Sequence, residues 1–260
     1  MANFRVSFNV SMVIAAVLGE LVSFVFFNHH SAWGRSIGVR YLITAFICQA
    51  VLVVILKWII ERHFSIHGWE DSAILALWLS LIYVTLQAPH VVYDHRSLSY
   101  FFAHALHKFA VLLLYNIFCF VRIRVKDYTC IEKQTMADFH VSFHIAMVIA
   151  AVLGELVSFV FFNGHSAWGR RIGDRYLITA FVCQAVLVVI LKWIIDHYFS
   201  VHGWEDSAIL ALWLAAIYAT LEAPHVVHDH HSLSYFFAHA LHKFAVLFVM
   251  IFSLHHFRNY

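Results

Sequence analysis

Long apolar blocks alternate along the chain with short polar stretches. The blocks cover residues 10–28, 41–60, 73–92 and 98–121, then 145–163, 176–195, 208–227 and 233–254. Each is about 20 residues long, enough for a helix to cross ~30 Å of hydrocarbon at about 1.5 Å per residue. A core helix of a soluble protein is shorter and keeps a wide polar face. These blocks have almost none, so the pattern predicts helices whose solvent is lipid.

The blocks repeat. Residues 6–113 match residues 141–248 at a constant offset of 135 without a gap, and about five positions in six are identical. The segment MVIAAVLGELVSFVFFN starts at 12 and again at 147, HGWEDSAILALWL at 67 and 202, and SLSYFFAHALHKFAVL at 97 and 232. The predicted fold is an all-α membrane protein made by tandem duplication of a four-transmembrane-helix bundle. It has eight helices in parallel repeats: a first repeat over residues 1–121, a polar linker over 122–140 and a second repeat over 141–260. With four spans per repeat, both enter the membrane in the same sense, so the expected relation is a pseudo-two-fold axis along the membrane normal. A homodimer of one repeat is the natural ancestor. Arg122, Arg124 and Lys126 directly follow the fourth block and favour an inner position for the linker and termini; Arg35, Arg40, Arg170, Arg171 and Arg175 pull the other way.

Composition strengthens the membrane reading. Only 12% of residues are Asp, Glu, Lys or Arg, about half the share of a typical soluble domain. The expected setting is multi-pass and integral, with the lipid bilayer as the first partner. A net charge of +2 without a basic stripe argues against nucleic acid. Cys48, Cys119, Cys130 and Cys183 show no CxxC spacing and read as small apolar or linker residues. The first apolar block is long and leads into the repeat, so it reads as a membrane helix and not as a cleaved signal.

The few polar residues inside the blocks cluster in depth. Glu20 lies ~12 Å from Asn28, at the end of the first block, and Gln49 lies about as far from Tyr41, at the start of the second. Ser80, Tyr83, Gln87 and His90 form a stripe on the third block. Tyr100, His104, His107 and Lys108 form another on the fourth, with Tyr115 further along it. These depths fall in one leaflet, which predicts one buried polar cluster per repeat: Glu20, Gln49, Gln87, His90, His104, His107 and Lys108, and their counterparts Glu155, Gln184, Glu222, His225, His239, His242 and Lys243. Ionisable groups in a bilayer are paired, hydrated or functional. The bland alternative is a structural network in which Glu20 pairs with Lys108.

Pro89 and Pro224, the only prolines, stand near the ends of the third blocks and free the carbonyls of Thr85 and Thr220. Beyond them lie His95 and His230, which a bend would turn toward the cluster. His30 and His165 also correspond. His29 is matched by Gly164 and His63 by Tyr198, so neither is obligatory if both repeats do the same work. Gln87 against Glu222 adds a carboxyl to the second set alone. His67 and His202 belong to a solvated turn on the opposite side.

Three function classes fit. His90, His104, His107, His225, His239 and His242 are the candidate cofactor ligands for haem in a redox role, with small residues such as Ala103 leaving room for a flat macrocycle. A transition metal would add Glu20, His30, His95, Glu155, His165 and His230. In either case Gln49, Gln87, Lys108, Gln184, Glu222 and Lys243 support the ligands. The second class is a proton or metal-cation channel or transporter. The third is a structural accessory subunit; short loops suit a homo-oligomer or a larger membrane complex. No phosphate-binding loop or nucleophile elbow is present, which disfavours nucleotide and hydrolase chemistry.

Overall fold

The computed structural model describes residues 10–27, 39–63, 69–93, 97–126, 144–162, 174–199, 201–228 and 232–258. Among these residues every regular element is an α-helix and no strand occurs. The helices are α1 (Val10–Phe27), α2 (Val39–His63), α3 (Trp69–Tyr93), α4 (Leu98–Lys126), α5 (Ile145–Phe162), α6 (Asp174–His197), α7 (Trp204–His228) and α8 (Leu233–His256).

Each of the eight apolar blocks is helical over its described residues, and several helices outrun their blocks. α4 continues through Lys126 into what the pattern assigned to the linker, and α3 and α7 begin at Trp69 and Trp204, ahead of their blocks. The physical reason is that a helix continues past its apolar stretch as long as its end groups find caps or other polar partners. Glu70 and Asp71, and Glu205 and Asp206, stand in the first turns of α3 and α7, where acidic groups meet the positive end of the helix dipole. Ser97 and Ser232 cap α4 and α8, each Oγ accepting from the amide of Tyr100 or Tyr235 at 3.3 and 3.2 Å. Five stretches are long and apolar enough to cross a membrane: Ile43–Ile60, Glu70–Val92, Ile178–His197, Trp204–Val227 and Leu233–His256. Val13–Val25 and Ile145–Phe161 are shorter apolar stretches of the same kind.

The prolines do not end their helices. α3 runs four residues past Pro89, and α7 four past Pro224, so His90 and His225 are helical residues, not turn residues. Proline removes one rung of the ladder, but the flanking turns hold.

The residues fall into two compact units. The first comprises Met1–Ser80, Phe102–Lys133 and Thr220–His231; the second comprises Leu81–Phe101, Gln134–Ala219 and Ser232–Tyr260. The end of α7, with His225, therefore belongs to the first unit, and the end of α3, with His90, to the second.

In the first unit α1 packs on α2. Its inward face is small: Ala15, Gly19 and Ser23 recur every four residues and are buried. Small residues at this spacing let helix backbones approach closely. The opposite face, with Val13, Val17, Leu21 and Phe24, is exposed and apolar. In the second unit α5 packs most extensively on α8 and then on α6. It repeats the pattern with Ala150, Gly154 and Ser158 inside and Val148, Val152, Leu156 and Phe159 outside.

Candidate functional site

Each unit buries a lysine among three imidazoles. In the first, Lys108 and His107 sit side by side on α4, with His104 one turn earlier, and α7 supplies His225; all four are no more than 6% exposed. Lys108 Nζ lies 2.6 Å from His225 Nε2 and 2.5 Å from the Leu221 carbonyl oxygen. The His225 ring lies 4.3 Å from that of His104, centroid to centroid, and edge-on to His107 at 6.0 Å.

The second unit reproduces this arrangement with the matching residues. Lys243 Nζ lies 2.5 Å from His90 Nε2 and 2.5 Å from the Leu86 carbonyl oxygen. His90 lies 4.5 Å from His239 and edge-on to His242 at 5.8 Å. The Tyr235 ring lies 4.0 Å from that of His239, tilted by 34°, and Lys243 lies over the Tyr218 ring at 5.6 Å.

Hydrogen-bond logic assigns the protons. A lysine ammonium has only donors, so the Nε2 atoms of His225 and His90 accept, and each ring carries its proton on Nδ1. His107 and His242 are arranged the other way. Ser23 Oγ donates to the Gly19 carbonyl at 3.0 Å, receives Gln49 Nε2 at 3.3 Å and lies 2.9 Å from His107 Nε2. With one hydroxyl proton already given, Ser23 accepts from His107 Nε2–H. Ser158, Gly154, Gln184 and His242 repeat this at 3.2, 3.3 and 3.0 Å. Each unit thus places imidazoles of opposite tautomer beside one lysine.

The lysines use the turn that proline loosens. Leu86 and Leu221 immediately follow Thr85 and Thr220, whose rungs the prolines remove. Thr85 turns its hydroxyl back to Leu81 and Ile82 at 2.9 and 3.0 Å.

The expected cluster members are thus brought together in a different grouping from the order of the sequence. His104, His107, Lys108 and Gln49 share a site with His225, while His239, His242, Lys243 and Gln184 share one with His90. Gln87 accepts from the Tyr218 hydroxyl at 2.7 Å in the second unit. Glu155 is half-buried beside Gln184, with Oε2 buried and without a hydrogen-bond partner among the described residues. Glu222 is half-buried on α7. The Glu20 side chain, His30, His95, His165 and His230 lie outside the described residues. Among the described residues no three of His, Cys, Asp and Glu are arranged to hold a metal ion.

Sequence reasoning passed over Ser23 and Ser158, which hold the second imidazole of each site. Their signal was present in the four-residue spacing Ala15–Gly19–Ser23. A clear difference between the units lies beside these serines. In the first, the Tyr115 hydroxyl donates to Gln49 Oε1 at 2.5 Å. In the second, Met250 takes that place against Gly154, and Gln184 Oε1 has no partner among the described residues.

No protein-family model matches the chain, no curated protein matches its sequence and no solved structure matches its fold.

Proposed function

We propose that this is a multi-pass integral membrane protein, a tandem duplication of a four-helix bundle, and that its two buried His–Lys centres take up and pass protons. The observation that carries the reading is the contact of a lysine Nζ with an imidazole Nε2 at 2.5–2.6 Å in each unit. Two nitrogen bases that close share one proton, because a second would set two cations against each other in a medium of low dielectric. The proton can move along the existing hydrogen bond from Nζ–H to the Nε2 lone pair, leaving a neutral amine and an imidazolium. Imidazole then releases a different proton from Nδ1, which is how a histidine passes charge without rotating. Buried Lys and His together are the expected parts of an intramembrane relay.

The same contacts weigh against the haem or metal reading. The lone pair of His90 or His225 that would bind a metal is turned to an ammonium, and a ligand role would require that pair to part. The apolar outer faces of α1 and α5, and the five helices of membrane-crossing length, support the bilayer setting.

The experiment is proton flux into liposomes carrying the purified protein and an enclosed pH-sensitive dye. We expect flux above that of empty liposomes, reduced at least tenfold by Lys108→Met combined with Lys243→Met while helicity by circular dichroism is kept. Wild-type flux no greater than that of empty liposomes would sink the reading. A reducible Soret band or stoichiometric metal in the same sample would instead favour the redox role. A colourless, inactive, folded protein would favour the accessory-subunit role.

A further inference from the structure

We infer that the two units are not equivalent: the first carries a hydrated polar track along α4, with an internal water site at Asn116, and the second has apolar side chains at the matching positions of α8. The inference rests on the proton reading for its purpose, but not for its evidence.

In the first unit polar groups follow one another along α4. His107 meets Ser23, Ser23 meets Gln49, and Gln49 meets Tyr115. The hydroxyls of Ser23 and Tyr115 converge on Gly19: one donates to its carbonyl, and the other fills the space a Cβ would take. The next residue is Asn116, fully buried. Neither Nδ2 nor Oδ1 of its amide has a hydrogen-bond partner among the described residues. Its backbone carbonyl oxygen lies 3.5 Å from Ser72 Oγ. Ser72 belongs to the first turn of α3, whereas His225 lies toward the end of α7. From His107 to Asn116 the track climbs ~13 Å.

A primary amide offers two donors and two acceptor positions. Buried polar atoms in folded proteins are paired, and where side chains do not serve, an internal water does. A water bound at Asn116 would meet both a donor and an acceptor of its amide, the polar partners an internal water needs. An amide does not readily relay a proton, so Gln49 acts as a positioning residue that orients Ser23 and Tyr115.

At the matching positions the second unit has Met250 and Ile251, both fully buried, flanked by Leu247 and Leu254. None of these four side chains offers a strong donor or acceptor, so the polar groups of the second unit at this level are those of Gln184 and Glu155, and α8 does not continue them through Met250 and Ile251. The centre around Lys108 has a polar path onward along α4 to the start of α3, and the centre around Lys243 has no such continuation along α8 at Met250 and Ile251.

Radiolytic hydroxyl labelling of the full-length protein in lipid nanodiscs tests the hydration directly. We expect the α4 peptide bearing Tyr115 to be labelled faster than the α8 peptide bearing Met250, although methionine is intrinsically the more reactive. Labelling of Met250 as fast as Tyr115, or an unlabelled Tyr115, would overturn the inference whatever the flux. In liposomes, Tyr115→Met with Asn116→Ile should cut proton flux at least tenfold. Tyr115→Phe, which keeps the ring packing, should cut it severalfold. Flux that survives both variants but is lost in Lys108→Met would overturn the track and leave the relay standing.

Discussion

The two units match around the lysine and part company one helical turn beyond the serine. Around Lys108 and Lys243 the corresponding distances agree within ~0.1–0.2 Å. Beyond Ser23 and Ser158, one unit continues with Tyr115 and Asn116 and the other with Met250 and Ile251. The matching half is built from identical sequence segments, Leu-His-Lys-Phe-Ala and Ala-Pro-His-Val-Val, so its agreement follows from that identity.

The strongest way to break the matching half is to remove the acceptor that faces the ammonium. His225→Leu leaves Lys108 buried without its imidazole, and His90→Leu does the same to Lys243. Each should cost about 3 kcal/mol, the scale of a buried charged group losing its hydrogen-bonded partner. Denaturant unfolding of the detergent-solubilised protein measures both. Equal losses support equivalent centres; a difference greater than about 1 kcal/mol would show that one lysine leans on other groups.

A smaller effect probes the level where the units diverge. A Cβ on Gly19 would lie 1.9 Å from the Tyr115 hydroxyl oxygen, 2.5 Å from Cζ and 2.8 Å from Cε1. A Cβ on Gly154 would meet only the Met250 side chain, with Cε at 2.4 Å and Cγ at 3.2 Å, and Gln184 Oε1 at 3.4 Å. An aromatic ring moves as a rigid plate, whereas methionine has three rotatable bonds and refills space easily. Gly19→Ala should therefore cost ~2 kcal/mol and Gly154→Ala less than ~1 kcal/mol. Equal costs would mean that Tyr115 is not wedged against α1.

Much of this was readable from the chain, and the part that was not has a definite physical cause. The apolar blocks marked all eight helices, and the misplaced groups Gln49, His104, His107 and Lys108 marked where polar side chains are buried together, because polar atoms in an apolar block must be satisfied somewhere. What the sequence could not tell was which histidine meets which lysine. His90 and His225 sit in the same surroundings, Ala-Pro-His-Val-Val, and Lys108 and Lys243 in another, Leu-His-Lys-Phe-Ala. A partner from the same copy and one from the other therefore present identical chemistry. Only the packing distinguishes them, and it puts His225 with Lys108 and His90 with Lys243. The proline step suggested a bent helix end; α3 and α7 stay helical through it, and the lysines bond to the carbonyl that follows the missing rung.

The finest test converts one unit toward the other. Gln184 is held by Ser158 through Nε2, and its Oε1 has no donor among the described residues. Its counterpart Gln49 receives the Tyr115 hydroxyl at that atom. Met250 already packs against Gly154 as Tyr115 packs against Gly19, so Met250→Tyr places a ring where the first unit accommodates one. The new hydroxyl would satisfy Gln184 Oε1, a gain of up to ~1 kcal/mol, set against the strain of a bulkier side chain in a packed interior. Unfolding at or slightly above wild-type stability, with a tyrosine hydroxyl shielded from titration, would show that the upper half of the second unit differs by the side chain alone. A loss of more than about 2 kcal/mol would show instead that α5 and α8 have closed around methionine, and that the difference between the units is built into their packing.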